Sequence, residues 1–185
     1  MLKRFLSKFT LFHLILIAVV AALGIAVKPV VVPLAALVTG PFLPGGAAAG
    51  GIYMLFLVLA ASLTGARGAG ALCGLCQSLL VLALGVAGSH GALSLLTYTL
   101  PGLAVDFAFL IFARKKSNLP ACFFAGMLAN IAGTASVNFA FFAMPLIPLL
   151  LSLCIAAFSG GLGGAAAWGI TKQLIRWNII QGDFS

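Results

Sequence analysis

Acidic residues are almost missing from this 185-residue sequence: there is no glutamate, and the two aspartates are Asp106 and Asp183. Charged residues of both signs reach only 6%, where a water-soluble domain carries about a quarter to keep its surface hydrated. That excludes a soluble globular enzyme. Histidine is just as scarce. His13 falls near the start of the first apolar run and His90 in the GSHG turn, so a histidine–carboxylate pair for acid–base chemistry would have to bridge most of a bilayer. No enzymatic activity is expected. The cysteines, Cys73, Cys76, Cys122 and Cys154, all lie in apolar runs, where cysteine behaves as a small hydrophobe. Cys73-Gly-Leu-Cys76 lacks the second ligand pair of a structural zinc site. The glycine-rich GARGAGALCG, residues 65–74, lacks the Gly-Lys-Ser/Thr ending that holds phosphate and magnesium. Neither a metal nor a cofactor is expected.

What is there is apolar: 63% hydrophobic residues and a mean hydropathy of +1.26. Several runs approach the roughly 20 residues that cross the hydrocarbon core as a helix, and the short alternating segments of a membrane β-barrel are absent. The pattern predicts an all-α integral membrane protein. It would form one membrane domain, residues 1–185, built as a six-transmembrane-helix bundle with spans at about 11–27, 46–64, 68–86, 92–113, 119–142 and 146–174. Residues 28–45, KPVVVPLAALVTGPFLPG, hold four prolines, which remove donors and leave carbonyls unpaired. Such backbone is tolerated at membrane depth only inside protein or beside water. A proline-rich re-entrant loop on the outer side is expected after the first span, with a kinked extension of that span as the alternative.

The basic residues orient the chain. With the N-terminus inside, Lys3, Arg4, Lys8, Arg67, Arg114, Lys115, Lys116, Lys172 and Arg176 all fall on the cytoplasmic side and only Lys28 falls outside, as the positive-inside rule requires. Both termini are therefore expected in the cytoplasm of a multi-pass cell-membrane protein. The net charge of +8 is scattered over the ends of the apolar runs and offers nucleic acid no continuous face. The opening MLKRFLSKFTLFHLILIAVVAALGIAV has the basic start of a secretory signal, but no small-x-small site precedes Lys28, so it reads as the first span.

Polar side chains cluster on the outer halves of the spans. Asn130, Thr134 and Asn138 recur every four residues and share one helical face; His90, Ser94 and Tyr98 do the same. With Tyr53 and Lys28 they outline a small-molecule pocket of the usual kind, an apolar wall with few polar groups. Its candidate substrate-binding residues are Lys28, Tyr53, His90, Tyr98, Asn130 and Asn138. Ala18, Ala22 and Ala26 form a small-residue stripe on span one, the kind of surface on which helices dock in lipid. Asp106 is a charge where charge is costly. Counted from Gly91, it lies about 22 Å into its span, too deep for the outer pocket. A structural or coupling role is expected, in which it caps loosened backbone or pairs with Arg67 or Arg114.

Six spans with both ends inside, a proline-rich outer loop and an alanine stripe resemble the substrate-binding S components of energy-coupling factor (ECF) vitamin transporters. The stretches GGIYMLFLVLAASLTGARGAGALCG, PGLAVDFAFLIFARKK, AGMLANIAG and SGGLGG are similar to the YkoE branch, which is associated with thiamine or its hydroxymethylpyrimidine precursor. The resemblance covers roughly residues 46–175. It implies a non-enzymatic subunit that binds a vitamin or related molecule. The partners implied are a transmembrane coupling (T) subunit, reached through Ala18, Ala22 and Ala26, and two ABC ATPase subunits. Asp106 matches an acidic residue of the branch pattern, whereas Gly74 stands where that pattern has a glutamate. An autonomous secondary transporter or channel, or a ligand-free membrane scaffold, are the competing classes.

Overall fold

The chain is almost entirely helical in the computed structural model, which describes residues 9–39, 45–85, 91–112 and 118–179. Among these described residues seven α-helices follow in order: α1 Leu11–Ala26, α2 Lys28–Thr39, α3 Gly45–Thr64, α4 Ala69–Leu84, α5 Ser94–Phe112, α6 Leu119–Val137 and α7 Leu146–Arg176. A 3-10 turn, Gly91–Leu93, leads into α5, and a π-helical turn, Asn138–Phe142, ends α6. No strand occurs among the described residues.

Local chemistry sets the ends. Thr10 caps α1 by accepting from the His13 amide at 3.2 Å, and Asn118 caps α6 by accepting from Ala121 at 2.8 Å. Each satisfies a donor that the first helical turn leaves free. α4 is bounded by Gly68 and Gly85, both left-handed, the conformation in which glycine stops a helix without strain.

The packing is the reverse of a soluble bundle. The centre is made of small residues: Ala21, Ala60, Cys73, Ala108, Ala125 and Ala167 are all completely buried. The large apolar side chains point outward, with Leu37, Phe139 and Ile147 exposed by 81%, 79% and 72%. In water such a surface would aggregate. In lipid it is solvated, and small residues at the seams let the helices approach closely. The approach reaches backbone contact. A Cβ at Gly163 would land on the Gly51 carbonyl, and one at Gly126 on the Gly160 carbonyl. α3, α6 and α7 thus join through glycine, and α4 meets α5 the same way at Gly70 and Gly102.

Among the described residues four helices are long and apolar enough to cross a membrane, and a bent pair, α1 with α2, makes up to five. The protein is a multi-pass membrane protein. The crossing expected at 68–86 is α4, an apolar helix of 16 residues, about 24 Å long and short of the roughly 30 Å hydrocarbon core. For the segment 28–45, expected as a re-entrant loop or a kinked extension of the first span, the described part is compatible with either. Residues 28–39 are helical, bent 41° from α1. Pro29 falls in the first turn, where no amide bond is lost, so of the two prolines only Pro33 interrupts the ladder. Pro41 and Pro44 lie outside the described residues.

Candidate functional site

Beside the bend between α1 and α2, the helices part around a cavity of about 330 Å³. Its wall is mostly apolar, from Val32, Met54, Leu57, Pro101, Val137 and Leu149. Among these stand the polar groups Lys28, Tyr53, Gln77, Tyr98, Asn130, Asn138 and Ser152. Five of the six residues nominated as substrate-binding therefore border one space; the sixth, His90, lies outside the described residues.

Lys28 opens α2 and turns inward, only 8% exposed. Its ammonium donates to the Tyr98 hydroxyl of α5. It also lies 4.0 Å from the Tyr98 ring centre and 4.9 Å from that of Tyr53 on α3, within cation–π range. One side chain thus ties three helices together at the cavity wall. Gly74 on α4 faces the backbone at Tyr98, where a Cβ would strike the Tyr98 carbonyl. Gly74 is therefore a helix contact with no room for a side chain.

Asn130 borders the cavity, but the two hydrogens of its amide nitrogen are shared among three acceptors, Ala47 O at 3.1 Å, Ala156 O at 2.9 Å and Ser159 Oγ at 2.9 Å. It staples α3, α6 and α7. Gly50 makes this possible, because a Cβ there would overlap the Asn130 amide. Asn138 starts the π-turn, and its oxygen accepts from the Met144 amide at 3.1 Å, drawing Phe142 and Met144 over the cavity. The Tyr53 hydroxyl and Ser152 Oγ are buried with no hydrogen-bond partner among the described residues. Ser152, Thr97 and Met144 escaped sequence reasoning; the lone hydroxyl in LLLSLC was the only signal for the first.

Asp106 does not line this cavity. Its carboxylate accepts from the amides of Gly68 at 3.2 Å, Gly70 at 3.1 Å and Ala71 at 2.8 Å. Those are the unsatisfied donors at the start of α4, where a negative charge also meets the helix dipole. No ion pair joins it to Arg67; Arg114 is outside the described residues. Ala18, Ala22 and Ala26 are exposed along α1, on the side away from buried Ile17, Ala21 and Ile25. Among the described residues no group of three or more His, Cys, Asp or Glu side chains could hold a metal ion, and all four cysteines are free thiols.

A helical membrane bundle enclosing a small, largely apolar cavity defines a class, and the comparisons narrow it. Over 92% of its length the chain matches a solved structure described as an S-component of an ECF transporter, with a TM-score of 0.77, 21% identity and 88% of that chain covered. The fold is that of an ECF S component. Residues 12–132 match the model of the family described as "ABC-type cobalt transport system, permease component", and the chain belongs to that family. No curated protein sequence matches.

Proposed function

We propose that the chain is the substrate-binding S component of an ECF-type ABC transporter, akin to the YkoE branch but, with Gly74 in place of that pattern's glutamate, not tied to that branch's thiamine, and that it captures a vitamin or vitamin precursor for uptake. The observation that carries this reading is the cavity itself: five polar or aromatic side chains drawn from four separate stretches meet on one apolar space inside a bundle with the S-component fold. With the basic residues on the cytoplasmic side, the Lys28 end faces outward, where a receptor needs its mouth. The described lining holds no His, Cys, Asp or Glu, the side chains a bare cobalt ion would require. An organic molecule suits it better. Partner docking is assigned to Ala18, Ala22 and Ala26, whose low, exposed stripe lets a coupling-subunit helix approach closely.

The test is co-purification with a T subunit and two ABC ATPases, coupled to titration with thiamine, hydroxymethylpyrimidine, riboflavin, biotin and folate. Ala22→Leu is expected to weaken the complex while leaving ligand binding intact; loss of both together would contradict the docking assignment. Free-standing uptake without any ATPase would instead support the autonomous transporter.

A further inference from the structure

Charge in the cavity is one-sided. The chain has no glutamate. Asp106 is committed to the start of α4, and Asp183 lies in the last three residues. The described lining therefore contains one cation, Lys28, and no anion. A buried ammonium has given up its hydration and is costly unless paired. Lys28 has three donors, of which the Tyr98 hydroxyl takes one; two ring faces supply the rest of its surroundings. No carboxylate lies within ion-pair distance among the described residues. The neighbouring polar groups also have hydrogens to give. The Tyr53 and Ser152 hydroxyls lack partners, and the Asn138 oxygen is already occupied by Met144, which leaves its NH₂.

Resting on the receptor reading, we propose that the substrate is a small organic anion, with its carboxylate or phosphate seated on Lys28 and its apolar body on the Met54, Leu57 and Leu149 wall. Such a group only accepts hydrogen bonds, which matches the surplus of donors, and it supplies the counter-charge that the protein lacks. A cationic substrate meets the opposite situation. The aromatic pair that would receive it already holds Lys28, and no carboxylate waits for it.

The experiment exposes purified full-length protein in lipid nanodiscs to a water-soluble metabolite extract. After washing and denaturation, the retained compounds are identified by mass spectrometry. Wild type, Lys28→Met, Lys28→Arg and an unrelated membrane protein are compared, with folding checked by thermal melting. The expected result is a compound bearing a carboxylate or phosphate, whose retention falls at least tenfold in Lys28→Met and survives largely in Lys28→Arg. A neutral or cationic compound, or an anionic one kept fully by folded Lys28→Met, overturns the anion assignment and leaves the receptor reading standing. Should Lys28→Met fail to fold, the charge of the compound retained by wild type still decides. If wild type retains nothing beyond the unrelated protein, the receptor reading falls and the substrate class with it.

Discussion

Two charges meet α5, a buried lysine and a half-buried aspartate, and they are treated in opposite ways. Lys28 reaches α5 at Tyr98, and Asp106 sits eight residues further along, about two turns. The aspartate is answered within the fold, with three amides aimed at its two oxygens. The lysine receives one hydroxyl and two rings. A charge that the protein satisfies completely holds the fold together; one that it satisfies only partly is available to something from outside. Neither residue type nor depth in the sequence makes that distinction, but the partner count does.

The contrast can be broken experimentally. Asp106→Ala leaves three helix-start donors unpaired and should cost on the order of 3 kcal/mol of stability, read as a lower melting temperature, while the folded fraction binds ligand with unchanged affinity. Lost affinity in the folded fraction would place Asp106 in the site after all. Gly163→Ala pushes a methyl onto the Gly51 carbonyl and is expected to cost about 2 kcal/mol; an unchanged melting curve would show that the seam can relax. Asn138→Ala frees the Met144 amide and removes a cavity donor, so ligand affinity should fall about fivefold, or ~1 kcal/mol, with the fold retained. Lys28→Met should change stability least. Relief of an unpaired buried charge offsets the loss of the Tyr98 hydrogen bond and two ring contacts, so the net change should stay within about 1 kcal/mol, and a large drop in melting temperature would make Lys28 a structural residue like Asp106.

Much of the architecture was legible because membrane physics writes itself into composition. The apolar runs marked the helices, and four-residue spacing put Asn130, Thr134 and Asn138 on one face, all bordering the cavity. What stayed hidden has a common cause. Asp106 was expected to cap backbone or to pair with an arginine; which amides it meets, those of Gly68, Gly70 and Ala71, carries no signature in a list of side chains. The approach of Lys28 to Tyr98 spans 70 residues and depends on α2 being helical, which four prolines in one stretch argued against. Asn130 was recognised as polar and inward, but its nitrogen being spent on Ala47, Ala156 and Ser159 required the positions of two other helices. Gly74 is the clearest instance. Its significance lies in what cannot fit beside Tyr98, and exclusion is visible only in three dimensions.

The glycine seams among α3, α6 and α7 carry a mechanical consequence. Where backbone rests directly on backbone, as at Gly51 with Gly163 and Gly126 with Gly160, there are no rotamers to exchange and hence no soft mode for sliding one helix past its neighbour. That side of the molecule behaves as a stiff jaw. Under the proposed receptor reading, the compliance needed to admit and release a substrate falls to the elbow after Ala26.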